Sequence, residues 1–135
     1  MSAADVFLDT NVLLHLMSGD TARAARAEAL IAAGGVISVQ VLNEFASVAS
    51  RKFAMGWPEI REALSVVRAI CSVEPLSEKT HDLAVDLVER FQLSFYDGLI
   101  VAAASLAGCT VLYSEDMQDG QKIQGVTIRN PFVDR

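Results

Sequence analysis

The sequence has few cysteines, few prolines and no long apolar run. Its 135 residues include two cysteines and three prolines. Cys71 and Cys109 lie far apart, with no further Cys or His at metal-ligand spacing, which argues against a zinc site or a disulfide framework. No apolar stretch approaches the roughly 18 residues of a membrane span, and the N-terminus lacks the basic start and apolar segment of a signal peptide. We therefore expect a cytoplasmic protein with no membrane segment.

Positive charge is also scarce. Eleven Lys and Arg residues face 17 Asp and Glu residues, which gives a formal net charge of -6. This balance argues against a broad basic surface for nucleic acid, because phosphate binding is usually driven by clustered Lys and Arg. Four of the acids are candidates for one shared site, however, and setting them aside leaves 13 acids facing 11 bases. Much of the acidity would then belong to a site and not to a repellent surface.

Apolar residues make up 52% of the chain, enough for the core of one globular domain over residues 1–135. Short apolar segments alternate with helical patterns, and this alternation is typical of a parallel sheet covered on both faces. We predict an α/β fold, a three-layer α/β/α sandwich with a mainly parallel central sheet of four to five strands. Residues 114–125 are predicted to form a polar loop, and Asn11 to cap the first helix. The predicted strands cover residues 5–9, 36–37, 72–75, 110–113 and 126–128.

Four carboxylates fall where the predicted elements begin or end. Asp9 closes the first strand, and Asp116 lies just beyond the strand that ends at Tyr113. Asp97 is in the first turn of a buried helix, and Glu44 is about two turns into the helix that follows the second strand. Ligands of open parallel sheets bind beyond the carboxyl ends of the strands. We therefore expect these four acids, from four separate segments, to meet at one edge of the sheet.

Such a cluster is costly without a cation, because neighbouring carboxylates raise each other's pKa and resist ionisation. Mg²⁺ and Mn²⁺ favour hard oxygen ligands, commonly carboxylates together with water and substrate phosphate. Two such ions can activate a water and stabilise the leaving oxygen of a phosphodiester. The joint placement of Asp9, Glu44, Asp97 and Asp116 therefore favours a metal site.

Each acid also has a simpler structural interpretation. Asp9 could cap the turn into the first helix, and taken alone this role and a metal role are equally supported. Ser94 and Asp97 have the spacing of a capping box, in which the acid bonds back to the N-cap amide. Glu44 alone could be a solvated helix residue, and Asp116 could be part of an acidic turn. Only the combination of the four favours a metal.

The same segments resemble the ordered motifs of PIN domains, and most closely those of bacterial VapC-type toxins. The likeness rests on Asp9-Thr10-Asn11 after the first strand, Asn43-Glu44-Phe45, Tyr96-Asp97 before an apolar helix, and Ser114-Glu115-Asp116. It extends over essentially the whole chain, including Asn130-Pro131-Phe132. The resemblance implies an Mg²⁺- or Mn²⁺-dependent endoribonuclease of a kind that commonly forms homodimers and is held inactive by a small antitoxin protein encoded beside it.

Carried over to this sequence, the resemblance implies that Asp9, Glu44, Asp97 and Asp116 form the catalytic metal site, with Thr10, Asn11 and Ser114 supporting them through hydrogen bonds. Many relatives carry another acid two residues after the one corresponding to Asp116. Here that position is Gln118, and Asp119 is the candidate substitute. The alternative hypothesis is a catalytically inactive PIN-like binding module in which the acids only cap and solvate. Bases available for an RNA substrate include Arg23, Arg26, Arg51, Lys52 and Lys122.

Overall fold

One six-stranded sheet forms the centre of the molecule. The computed structural model describes residues 2–133, so Met1, Asp134 and Arg135 of the domain predicted over 1–135 lie outside the described residues. The strand order is β3-β2-β1-β4-β6-β5, and every neighbouring pair is parallel except β5 and β6. The strands are β1 Val6–Leu8, β2 Val36–Ser38, β3 Ser72–Glu74, β4 Val111–Tyr113, β5 Lys122–Ile123 and β6 Val126–Arg129.

Six α-helices connect and cover these strands in the described part of the chain. The α6 helix packs against β2, β4 and β6, and α5 packs on α6. The α2 and α4 helices contact each other, and α4 contacts β3, which completes the opposite layer. The helices are α1 Thr10–Leu14, α2 Thr21–Ala32, α3 Val39–Lys52, α4 Trp57–Ile70, α5 Glu78–Phe91 and α6 Phe95–Leu106. The predicted three-layer α/β fold with a mainly parallel sheet is confirmed.

The core lies on both faces of the sheet. Phe7, Leu112 and Ile128 are completely inaccessible to solvent, and they sit side by side in β1, β4 and β6. The α6 helix is apolar on all sides and has seven consecutive buried residues from Gly98 to Ala104, as expected of a central helix. None of the helices within residues 2–133 is long and apolar enough to cross a membrane.

Two details of the prediction were wrong. The loop predicted over residues 114–125 contains β5, which pairs with β6 and raises the strand number to six. The connecting residues Gln124 and Gly125 both have positive φ, 52° and 80°, which is the backbone of a tight two-residue hairpin turn. The N-cap of α1 is Asp9, whose carboxylate accepts the Thr10 amide, and not Asn11. Asn11 is instead inside the helix, where its side chain is free to bridge other groups.

Candidate metal centre

The register of β1 and β4 places Asp9 beside Ser114. Leu8 pairs with Tyr113, so the residues that follow these two strands leave the sheet next to each other. The Asp9 amide donates to the Tyr113 carbonyl at 3.0 Å, and the Ser114 hydroxyl donates to Asp9 Oδ2 at 2.8 Å. Asp9 Oδ1 accepts the Thr10 amide at 2.7 Å. Only 4% of Asp9 is exposed, so this carboxylate is held in one position by the end of the sheet.

Asn11 connects Asp9 to the segment after β4. Its Nδ2 lies 3.3 Å from Asp9 Oδ2 and 3.1 Å from Asp116 Oδ2, and is also within hydrogen-bond distance of the Ser114 hydroxyl. Its Oδ1 accepts the Glu115 amide at 3.3 Å. The Ser114 hydroxyl in turn accepts the Asp116 amide at 3.2 Å. Two carboxylates from opposite ends of the sequence are therefore bridged by one buried amide.

Glu44 and Asp97 approach the same edge from helices. Both side chains are half-buried, whereas Asp116 is exposed. Gln40, one turn earlier on α3, donates to Glu44 Oε1 at 3.1 Å. Ser94 caps α6 by accepting the Asp97 amide at 3.2 Å. Among residues 2–133 the Ser94 amide donates no reciprocal bond to the Asp97 carboxylate, so the predicted capping box is only half formed. The Ser94 side chain does interact with that carboxylate and lowers its pKa.

The charge of Asp116 acts on each of the other three carboxylates. The pKa of Asp9 is raised to about 7, mainly by burial; the bonds from Ser114 and Thr10 lower it, and the charges of Glu44 and Asp116 contribute to the rise. The pKa of Glu44 is raised mainly by burial and then by Asp97 and Asp116. Burial and then Asp116 raise the pKa of Asp97. The mutual repulsion is the effect expected when like charges share a small space, and a cation at this edge would relieve it.

The four side chains have the right chemistry for a hard divalent cation, but their positions in the structure do not yet form a binding site. All four side chains offer carboxylate oxygens, the ligands that Mg²⁺ and Mn²⁺ prefer. The buried Thr10 Oγ1 next to Asp9 has no hydrogen-bond partner, so this edge also contains an unsatisfied oxygen. Within residues 2–133, however, no three His, Cys, Asp or Glu side chains are positioned to hold one ion together. In the structure the Asp9, Asp116 and Glu44 carboxylates accept hydrogen bonds from Ser114, Asn11 and Gln40, respectively.

Asp119 and Glu115 lie outside this cluster. Asp119 Oδ1 accepts the Asn130 amide at 2.9 Å, and Asp119 is not among the charges that raise the pKa values of Asp9, Glu44 or Asp97. Glu115 bonds to His15 Nε2 at 2.6 Å and to Arg23 Nη1 at 2.8 Å. These two contacts direct Glu115 away from its neighbour Asp116.

Gln40 was not identified from the sequence, although it is the hydrogen-bond donor to Glu44. The signal was present, because residues four apart on a helix lie on the same face. The contact of Glu115 with His15 and Arg23 had no such local signal, since about 100 residues separate Glu115 from each partner.

A mainly parallel α/β sheet with carboxylates gathered beyond its strand ends defines a class of proteins that bind ligands at that edge. A family model described as the PIN domain matches residues 6–119. The chain therefore belongs to the PIN domain family, as the sequence motifs indicated.

Solved structures share the fold at low sequence identity. A toxin–antitoxin complex from Klebsiella pneumoniae matches with a TM-score of 0.70 and 22% identity over 94% of this chain and 98% of that one. VapC20 of Mycobacterium tuberculosis, a toxin that cleaves the sarcin–ricin loop, matches with a TM-score of 0.67 and 21% identity, over 88% of this chain and 97% of that one. VapBC2 of Rickettsia felis, bound to a promoter DNA fragment, matches with a TM-score of 0.66 and 18% identity, over 93% of this chain and 97% of that one. No curated protein sequence matches the chain significantly.

Proposed function

We propose that this chain is a metal-dependent endoribonuclease of the bacterial cytoplasm, acting as the toxin of a toxin–antitoxin pair. The observation that carries the proposal is the electrostatic proximity of Asp9, Glu44, Asp97 and Asp116, which come from four separate segments. Membership of the PIN family supports nuclease chemistry. The fold shared with VapC20 and with two toxin–antitoxin assemblies supports the more specific role.

In this proposal the four carboxylates would hold Mg²⁺ or Mn²⁺. When bound, such an ion lowers the pKa of water and neutralises charge that develops on the phosphodiester. The chain's own contribution is to orient the carboxylates. Ser114 and the Thr10 amide fix both oxygens of Asp9, and Asn11 ties Asp9 to Asp116. Hydrogen bonds of this kind set the direction and basicity of ligands in metal sites.

The alternative function is a binding module without catalysis, and two observations favour it. Asp9 caps α1, and both of its oxygens already accept hydrogen bonds. No three candidate ligands within residues 2–133 share one ion position. The two functions differ in their response to Mg²⁺, because an ion that binds only the folded state raises the melting temperature. The module predicts no such rise, and the nuclease predicts one that shrinks in Asp97→Asn.

The test is cleavage of a mixed RNA pool by the purified chain, free of antitoxin, in Mn²⁺ or Mg²⁺ and in EDTA. The matched variants are Asp97→Asn and Glu62→Gln, since Glu62 is an exposed carboxylate on α4. We expect cuts that require the metal and Asp97 and that persist in Glu62→Gln. Cleavage that survives in both EDTA and Asp97→Asn would refute the proposed chemistry. Absence of both cleavage and Mg²⁺-dependent stabilisation in folded protein would favour the binding module.

We also propose that the chain forms a homodimer and binds an antitoxin. Several large apolar side chains support an interaction with other chains, because such side chains are usually buried in a monomer. Phe53 is 42% and Trp57 56% exposed at the junction of α3 and α4, so neither belongs to the core. Light scattering during gel filtration would measure the mass of the purified chain. A monomer that stays monomeric at high concentration would refute the homodimer.

A further inference from the structure

A groove lies on the side of the sheet opposite α6, over β4 and β6. Leu112 and Ile128 face α6 and are fully buried, so their neighbours Val111, Tyr113 and Arg129 face the other way. The groove has a volume of about 620 Å³. Its walls are the first turns of α2 and the segment from Asn130 to Val133.

The groove concentrates positive charge in an acidic protein. Arg23, Arg26 and Arg129 line it, and no carboxylate is among its described lining residues. Arg23 is already paired with Glu115 at 2.8 Å and Asp20 at 3.4 Å. Arg26 Nε donates to the Pro131 carbonyl at 3.2 Å, and its two terminal nitrogens have no partner within residues 2–133. The Arg129 side chain has no hydrogen bond or ion pair among the same residues. Two guanidinium groups are therefore available to an anionic ligand.

Aromatic rings lie among these arginines. Tyr113 forms part of the floor and Phe132 part of the wall, and both are half-buried. The Phe132 ring packs against His15 with centroids 4.3 Å apart, and Arg23 Cζ lies 5.6 Å from the Phe132 centroid. Grooves that bind single-stranded nucleic acid combine cationic side chains, which follow the backbone, with aromatic faces on which bases stack. This groove has both kinds of side chain.

The groove also adjoins the candidate metal centre. Tyr113 lies in the floor of the groove, and its backbone carbonyl accepts a hydrogen bond from the Asp9 amide. The next residue, Ser114, donates to the Asp9 carboxylate. Arg23, in its wall, pairs with Glu115, which directly precedes Asp116. The groove and the candidate metal centre therefore share the C-terminal end of β4.

We propose that this groove binds a single-stranded RNA segment next to the bond presented to the carboxylates, with Arg26 and Arg129 contacting backbone phosphates. The inference rests on the proposed ribonuclease function and adds a substrate-binding surface to it. An acidic peptide could also pair with the arginines. The flat rings of Tyr113 and Phe132 beside planar guanidinium groups favour RNA, because bases stack on both kinds of surface.

The test measures RNA binding separately from cleavage. In an Asp97→Asn background, a fluorescent single-stranded oligoribonucleotide of mixed sequence is titrated between about 50 and 200 mM salt. Arg26→Gln combined with Arg129→Gln is compared with Arg61→Gln and Arg68→Gln combined, two exposed arginines of α4 that remove the same charge. Circular dichroism and melting temperature check that each variant is folded. We expect the groove variant to bind at least about tenfold more weakly, with a salt slope smaller by about 1.4 for two lost phosphate contacts.

Equal weakening by the groove variant and the α4 variant would overturn the inference, because only net charge would then matter. Unchanged binding by the groove variant would overturn it as well. A poly-glutamate peptide that binds in an Arg129-dependent way, while the RNA does not, would assign the groove to a protein partner.

Cleavage assays with Asp97 intact distinguish this failure from failure of the proposed function. Cleavage that is unaffected by the groove substitutions would leave the ribonuclease standing and remove the groove. RNA binding that depends on Arg26 and Arg129, without any cleavage, would support the groove and count against the ribonuclease.

Discussion

The candidate site has two halves that are built differently. Asp9 is buried at the end of a central strand, where the sheet register and hydrogen bonds from three neighbouring groups fix its position. Glu44 and Asp97 are half-buried on α3 and α6; Gln40 donates to the Glu44 carboxylate, and the Ser94 side chain interacts with that of Asp97, so each partner is close in sequence. The strand half is therefore a rigid element, whereas the helix half can change side-chain conformation. A site of this kind can fix one ligand in advance and adjust the others when an ion arrives.

The largest expected effect is the loss of RNA cleavage when an acid is neutralised. The size of this loss should differ between the strand half and the helix half. Asp9→Asn is expected to lower RNA cleavage at least about 100-fold, since removing a metal ligand costs several kcal/mol of transition-state stabilisation. Glu44→Gln is expected to lose less, because water can replace a half-exposed ligand. The measurement is single-turnover cleavage over a range of Mn²⁺ concentrations. Recovery of Asp9→Asn at high Mn²⁺, with none for Glu44→Gln, would contradict the comparison.

The rigid half should also determine how stability depends on pH without metal. The pKa of Asp9 is about 7 in the folded protein, against 3.8 for an unperturbed aspartate, so the folded state binds more protons than the unfolded chain. Its contribution to stability is fully present below about pH 4 and is lost as pH rises through about 7. In EDTA, we expect wild type to lose about 2 to 4 kcal/mol between pH 4 and pH 8 relative to Asp9→Asn.

Thermal or urea unfolding of both proteins at several pH values measures this difference. Mg²⁺ should reverse the trend for wild type, because the ion binds the charged carboxylate. Parallel pH profiles of the two proteins in EDTA would contradict the assigned pKa of Asp9.

The helix half can be disturbed through packing alone. A Cβ at Gly98 would lie 2.5 Å from Val88 Cγ2 and 3.2 Å from the Ala84 carbonyl oxygen, so α6 approaches α5 closely just after Asp97. We expect Gly98→Ala to destabilise the fold by about 1 to 3 kcal/mol, as overpacking of a core does. Gly19→Ala is the matched control, since nothing lies within 4 Å of its added Cβ. Equal unfolding midpoints in urea would refute the close approach of the two helices.

The smallest expected effect concerns the groups that orient Asp9. The Ser114 hydroxyl donates a hydrogen bond to Asp9, and this bond lowers the pKa of Asp9. Ser114→Ala removes that hydroxyl. We expect Mn²⁺ affinity to fall about tenfold, the low end of the range for partners of metal ligands. Ser105→Ala, which removes a hydroxyl bonded to the Gln124 carbonyl at the far end of α6, should leave the affinity unchanged. Calorimetric titration of both variants measures the difference, and equal affinities would show that Asp9 needs no orientation from Ser114.

Local patterns in the sequence were sufficient to predict most of the fold. Ser38 and Ser77 are the N-caps of α3 and α5, as is typical of serine, and α4 begins at Trp57-Pro58, since proline is well tolerated at a helix start. The β5 strand was missed because two residues carry no periodic pattern, and the Gln124-Gly125 turn is the one local sign of a hairpin. Short strands are specified more by their neighbours than by their own sequence.

The site was predictable only in part. The sequence places Asp9 and the segment after Tyr113 at one edge because parallel strands end together. It could not show that Asn11 lies inside α1 and bridges Asp9 to Asp116, since that contact depends on exact register. Arg129 was likewise not selected from the sequence, because nothing local marks its pairing beside Tyr113 on the open face. The assignment of the four acids to a metal site stays a prediction.

The bond between Ser114 and Asp9 has a consequence for synthesis of the chain. The two residues are 105 positions apart. A ribosome must therefore make most of the protein before the carboxylate of the first strand receives its partner, and contacts between distant segments form slowly. A truncated or still-growing chain contains Asp9, Glu44 and even Asp97, yet lacks the strand that assembles them. Under the proposed ribonuclease function, we therefore expect the nascent chain to gain activity only after β4 and Ser114 have been made.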